Sequence, residues 1–195
     1  MISMTIFDDR LIPSDAAPGA GPPNIADNTF RVDGTWSLAN AFLWVRNFAN
    51  SQPGQRISPF NIMCHGFYNW AESAELMAST IVGGFGLQLC RDGLVPGTIG
   101  TIAPLVRDKL GDVLVFACGA GSSQAGGSQN GRLFCTELAV RLNCIVYAAD
   151  RKQVFNYSRT APAPLNFGEW EGTISRYTPD RNVVPVGSFP SPNPT

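Results

Sequence analysis

The sequence predicts an α/β domain built on a mainly parallel sheet with helices on both faces, a three-layer α/β/α sandwich. Three observations carry this. Short apolar runs bounded by turn residues recur at Phe60–Cys64 (FNIMC), Val113–Ala117 (VLVFA) and Cys144–Ala149 (CIVYAA). Runs of that length read as strands buried on both faces. A helix-prone stretch precedes each of them, at Thr35–Asn50, Thr101–Leu110 and Leu133–Leu142. Strands and helices that alternate in this way form parallel sheets covered by helices.

In chain order, Met4–Phe7 (MTIF) is a first short strand. Residues 8–28 carry a dense Pro and Gly cluster and form an irregular N-terminal arm. Thr29–Val32 (TFRV) is a second short strand, closed by Asp33-Gly34. Thr35–Asn50 is a helix with Thr35 or Ser37 as its cap and an apolar stripe of Trp36, Leu43 and Phe48, with Ala39 and Trp44 nearby. Ser51–Gly54 ends it, and the strand Phe60–Cys64 follows as the close of a βαβ crossover.

Phe67–Ser79 is aromatic and then helix-prone, and Ile81–Leu94 is a small hairpin with its turn at Arg91-Asp92-Gly93. Thr101 caps a short helix over Thr101–Leu110 with Pro104 in its first turn. After the strand Val113–Ala117, Gly119–Gly131 (GAGSSQAGGSQNG) is expected to be a mobile loop or a cleavable linker. Leu133–Leu142 is an amphipathic helix with Leu133, Phe134, Leu138 and Leu142 on or near one face and Asn143 as its C-cap. Phe167–Tyr177 is a hairpin or a single strand. Residues 1–187 are thus one domain, and 188–195 are a Pro-rich tail expected to be disordered.

Composition narrows the function classes. The chain has 195 residues, a net charge of −1 and 15% charged residues, well below the usual quarter. No basic block marks it for nucleic acid, and no apolar run reaches transmembrane length, so neither nucleic acid nor membrane is an expected partner. Met1–Arg10 lacks the cationic start and apolar core of a signal peptide. The expectation is residence in the cytoplasm, or delivery into a target cell without a cleaved signal. The five cysteines are odd in number and irregularly spaced. Cys64, Cys90, Cys135 and Cys144 lie among apolar residues and read as buried free thiols. Without a CxxC pair a structural zinc site has little support, and no metal or other cofactor is expected.

The chemistry concentrates at two strand ends. One apolar strand finishes in Cys118, followed by Gly119, and the other in His65, the sole histidine, followed by Gly66. Ligands in open α/β sheets bind beyond the carboxyl ends of the strands. If the two strands are neighbours, His65 and Cys118 emerge together as a dyad in which the imidazole takes the thiol proton and later gives it to a leaving amine. The N–H groups of Gly66 and Cys118 would then serve as an oxyanion hole, with Gly119 and Gly121 keeping space open around the thiol. Asp92 and Asp150 are candidates to line a pocket for a basic side chain, against the plainer role of turn carboxylates. Glu169 and Glu171 around Trp170 read as a solvated strand face, and Gly83-Gly84-Phe85-Gly86 is too short for a phosphate loop.

Apolar strand-His65-Gly66, followed about 50 residues later by apolar strand-Ala117-Cys118-Gly119, resembles the caspase-like cysteine peptidases, the group of caspases, metacaspases, gingipains, clostripain and legumain. The resemblance covers roughly Phe60–Asp150. It implies a caspase-like fold, a cysteine endopeptidase acting on a peptide or protein through a thioester on Cys118, and His65 as general base and acid. The caspase pentapeptide has Gln two residues before the cysteine and Arg after it. Here Phe116 and Gly119 stand there, so cleavage after aspartate does not follow. A papain-type arrangement is disfavoured, because there the cysteine precedes the histidine and opens a helix. Two other classes remain: an inactive binding module of the same fold, and a cysteine hydrolase or acyltransferase acting on a non-peptide amide or ester.

Overall fold

A computed structural model describes residues 1–24, 26–67, 86–122, 131–151 and 153–187. Its architecture is the expected α/β class. Seven strands form one sheet: β1 (Ile2–Asp8), β2 (Thr29–Val32), β3 (Ile57–Met63), β6 (Asp112–Phe116), β7 (Ile145–Ala149), β8 (Ile174–Tyr177) and β9 (Val183–Val186). Two short strands between β3 and β6, β4 (His65–Phe67) and β5 (Gly86–Gln88), form a separate antiparallel pair. The large sheet runs β2-β1-β3-β6-β7-β8-β9; its first five strands are mutually parallel, and β8 and β9 are added through antiparallel pairings. Three described helices accompany it: α1 (Leu38–Ser51), α2 (Ile99–Val106) and α3 (Gly131–Leu142).

Strand alternation sorts the side chains into two cores. Met4, Ile6, Phe60, Ile62, Val113, Val115, Val146 and Ala148 share one cluster with the buried faces of α1, α2 and α3. Phe7, Met63, Leu114 and Phe116 point the other way, into a second cluster with Leu11, Leu165 and Phe167. Among the described residues this second layer is built by a 3₁₀ turn (Asp9–Leu11) and coil, not by helices.

Several expectations shift in detail. The chain crosses from β2 through α1 to β3 past β1, which lies between those two strands. The buried face of α1 is Leu38, Ala41, Phe42, Val45 and Ala49; of the expected stripe, Trp36 and Leu43 are exposed, as is the neighbouring Trp44, and Phe48 is half-buried against the core. The spacing of the first set is the full helical repeat. The aromatics stack along the rim of the core, with Phe30 4.2 Å from Trp44 and Trp44 5.5 Å from Phe48, centroid to centroid, and Phe30 and Phe48 packed against the buried cluster. Ser37 caps α1, its side chain accepting the Asn40 N–H. Helix α2 begins at Ile99, after Thr98 rather than at Thr101, and Pro104 therefore lies inside it. The Thr98 hydroxyl closes the preceding turn by accepting the Val95 N–H and donating to the Gly93 carbonyl.

Leu133 is exposed, and the inner face of α3 is Phe134, Cys135, Leu138 and Leu142. Asn143 has φ +53, the left-handed geometry of a helix C-terminus. Of Phe167–Tyr177 only Ile174–Tyr177 is strand, and it pairs with Val183–Val186, where no strand was expected. The hairpin expected at Ile81–Leu94 is present in its described part as a mutual pair of hydrogen bonds between Leu87 and Leu94, 2.9 Å each. The expected helical stretch after Phe67 and the tail 188–195 lie outside the described residues.

Candidate active site

Strands β3 and β6 are direct parallel neighbours, in register from Phe60↔Val113 to Met63↔Phe116. The Cys64 N–H continues the ladder to the Phe116 carbonyl at 3.5 Å. The next residues on the two strands are His65-Gly66 and Ala117-Cys118, so the histidine and cysteine ends lie side by side. The contact is close: a Cβ on Gly66 would overlap the Cys118 carbonyl oxygen and come within 2.8 Å of the Cys118 nitrogen and 2.9 Å of its carbonyl carbon. Only glycine lets the two backbones meet there.

His65 is held by its far nitrogen. Its Nε2 lies 3.0 Å from the Arg10 carbonyl oxygen. A carbonyl only accepts, so Nε2 carries the proton, and in the neutral ring Nδ1 is the basic nitrogen. Arg10 is fixed in turn by Asp8, a carboxylate 1% exposed at the end of β1. Asp8 Oδ1 accepts from Arg10 Nε at 2.8 Å and from the Arg10 N–H at 3.1 Å, and Oδ2 accepts from Arg10 Nη2 at 2.6 Å and from the Cys90 N–H at 3.0 Å. Arg10 Nη2 also donates to the Cys90 carbonyl at 2.7 Å. The hydrogen bonds to Asp8 raise the Arg10 pKa further, against the opposing effect of burial. Sequence reasoning missed both residues by assigning Asp8 onward to an irregular arm. The available signal was a carboxylate ending an apolar strand with an arginine two residues later.

Cys118 differs from the other four cysteines. It is partly exposed, whereas Cys64, Cys90, Cys135 and Cys144 are buried free thiols, as expected. Burial pushes Cys90 and Cys144 up to about 12 and drives Cys64 and Cys135 upward as well. Those four are poor nucleophiles near neutrality, because the thiolate is the reactive form. The Cys118 thiol donates to the Gln153 carbonyl at 3.7 Å. Gln153 is itself tied down, its amide donating to the Arg151 and Glu171 carbonyls and its Oε1 accepting the Glu171 N–H. No residue pattern marks this segment as lying beside the thiol.

The turn after the thiol is not the open loop expected of it. Gly119, Ala120, Gly121 and Ser122 are buried. The Gly119 N–H donates to the Arg151 carbonyl at 2.8 Å, the Gly121 N–H to Ala149 at 2.9 Å, and the Gly131 N–H to Ser122 at 2.8 Å. Gly119 has φ +58, and a Cβ on Gly121 would meet the Tyr177 hydroxyl at 2.9 Å. The glycines here allow tight packing rather than open space. Residues 123–130 of the expected mobile loop lie outside the described residues.

The expected oxyanion donor at Gly66 has a specific orientation. In the β4–β5 pair Gly66 stands opposite Leu87. Leu87 gives both main-chain groups to Leu94 on its other side. An antiparallel residue points its N–H and C=O to one side, so the Gly66 N–H takes no part in the β4–β5 ladder. Asp92 lies at the start of α1, where its Oδ2 accepts the Leu38 N–H at 2.9 Å. Asp150 follows β7, and its Oδ1 accepts the Thr173 N–H at 2.8 Å. Among the described residues no group of three or more His, Cys, Asp or Glu could hold a metal ion, and no helix is long and apolar enough to cross a membrane. No protein-family model, curated protein or solved structure gives a significant match to the chain.

Proposed function

We propose that the chain is a cysteine peptidase of caspase-like architecture, with Cys118 as nucleophile and His65 as general base and acid. One observation carries the reading: the one partly exposed cysteine of five lies against the glycine that follows the only histidine. In this mechanism Nδ1 of His65 takes the Cys118 proton. The thiolate attacks a peptide carbonyl carbon, and the N–H groups of Gly66 and Cys118 hold the resulting oxyanion. The intermediate collapses to a thioester, breaking the C–N bond, and the leaving amine takes the proton from His65. Water, deprotonated by His65, then cleaves the thioester and restores the thiol. Roles for Asp92 and Asp150 in binding a basic substrate side chain are secondary here, since each carboxylate already closes a main-chain N–H. The peptidase would act in the cytoplasm or inside a target cell.

The test is digestion of a denatured-protein peptide mixture, read by mass spectrometry, with wild type, Cys118→Ala and His65→Ala. The expected result is a recurrent cleavage pattern that is lost in both variants. Hydrolysis of activated esters or non-peptide amides without peptide cleavage would move the assignment to a different cysteine hydrolase. Absence of turnover on all three substrate classes would favour a binding module, with the thiol held by the Gln153 carbonyl.

A further inference from the structure

We infer that Asp8 is a positioning residue for His65, acting through Arg10. The inference deepens the dyad reading and takes its functional meaning from it. Asp8 ends β1, the neighbour of β3 on the side away from β6, so its carboxylate and the two site residues come from three adjacent strand ends. Both of its oxygens are engaged, with the Arg10 N–H, the Arg10 guanidinium and the Cys90 N–H. The guanidinium also reaches the carbonyls of Cys90, at 2.7 Å, and Gln88, at 3.4 Å.

Gln88 is the residue paired with His65 across the small β4–β5 ladder. The Asp8–Arg10 unit therefore grips the strand that faces the histidine and at the same time presents the Arg10 carbonyl to Nε2. The main chain of one arginine holds the imidazole, while its side chain holds the segment paired with the histidine. An arginine is suited to this, because its planar fork donates to a carboxylate and to carbonyls at once, which a lysine ammonium does with looser geometry. A salt bridge on the surface would give no such constraint. Here Asp8 is 1% exposed and Arg10 30% exposed, so the pair is anchored on its acidic side.

The consequence is a fixed ring. With Nε2–H bound to the Arg10 carbonyl, rotation of the imidazole breaks a hydrogen bond, and the basic Nδ1 is kept pointing one way. The neighbouring Asp9 supplies a control, since its carboxylate is turned to Arg31, at 2.8 Å on the surface, rather than to the Arg10 guanidinium.

The chain has a single histidine, so its imidazole N–H gives one assignable nitrogen-bound proton signal in an NMR spectrum. That signal would be followed in wild type, Asp8→Asn, Arg10→Lys and Asp9→Asn, together with the alkylation rate of Cys118 by iodoacetamide. The expected result is a slowly exchanging Nε2–H in wild type and Asp9→Asn. Exchange should be at least about tenfold faster in Asp8→Asn, with Arg10→Lys changed in the same direction, and both should slow Cys118 alkylation. A folded Asp8→Asn with wild-type Nε2–H exchange overturns the inference. If Asp8→Asn does not fold, an unchanged signal in Arg10→Lys overturns it in the same way. Failure of the dyad itself is a separate outcome: His65→Ala would leave Cys118 alkylation unaltered while the Nε2–H signal still depended on Asp8.

Discussion

Replacing Gly66 with alanine puts one methyl group where the two strand ends meet. The added carbon would lie 2.8 Å from the Cys118 nitrogen and 2.9 Å from its carbonyl carbon, and closer still to the carbonyl oxygen, where ordinary contact begins at 3.4 Å. The obstructing atoms are backbone, so no side chain can swing aside. The ends of β3 and β6 must part by several tenths of an ångström or more. Overpacking of this kind costs about 1–3 kcal/mol. The chemical cost is of similar size, because a misplacement of ~1 Å between reacting groups can lower rates by about 10²-fold, about 2.7 kcal/mol. Gly97→Ala is the matched control, since nothing lies within 4 Å of a Cβ there and its φ is not in the left-handed range. It should be neutral or stabilising by up to about 1 kcal/mol. Urea unfolding and the alkylation rate of Cys118 would be measured for both. Gly66→Ala should lose both stability and thiol reactivity. A Gly66→Ala protein as stable as wild type, with unchanged Cys118 alkylation, would refute the close approach on which the site is built.

Gly119→Ala forces a left-handed φ of +58 on a residue with a Cβ and should cost about 1–2 kcal/mol, read as a lower urea midpoint. The chain should also be alkali-sensitive. The folded-state pKa values of Cys64, Cys90, Cys135 and Cys144 are raised by burial, to about 12 for Cys90 and Cys144. The unfolded chain therefore ionises first, near pH 8.5, and stability is full below that value and falls as pH rises toward 12. Each such thiol removes up to about 1.4 kcal/mol per pH unit in that window, so urea midpoints should drop between pH 8 and 10, and Cys144→Ala should show a shallower slope.

The parts of the fold that were legible in the sequence are those fixed by continuous composition. The strands around Phe60–Met63, Val113–Phe116 and Ile145–Ala149 are apolar almost throughout, with Asn61 the polar exception, because both faces of the sheet are covered there. The adjacency of the His65 and Cys118 ends followed from their shared place at the ends of such strands. Faces were harder. Helix α1 carries apolar residues on two sides, and its outer aromatics Trp44 and Phe48 stack with one another and with Phe30 at the rim of the core. Strand β9 contains Pro185 at the sheet edge and has no alternating pattern to announce it. The segment Gly119–Ser122 looked polar and loose, yet it is buried because its main-chain groups find partners across β7 and the start of α3. Asp8 and Arg10 left only the faint mark of a carboxylate and an arginine after an apolar strand, and Gln153 left none. They come from distant parts of the chain, two of the hydrogen-bond acceptors are main-chain carbonyls, and a carbonyl leaves no mark in a sequence.

The most direct measurement of the central claim is the pH dependence of Cys118 alkylation in wild type and His65→Ala, located by mass spectrometry and scaled to a small exposed thiol. Comparison with the other four cysteines does not suffice, since burial alone makes them slow. An ordinary thiol with a pKa near 8.5 is only about 1% thiolate at pH 6.5. A working dyad predicts that wild-type Cys118 reacts at that pH at least about tenfold faster than in His65→Ala, ~1.4 kcal/mol, and that the variant titrates like the reference thiol. If the two proteins trace the same curve, His65 does not activate Cys118 and the peptidase assignment is contradicted.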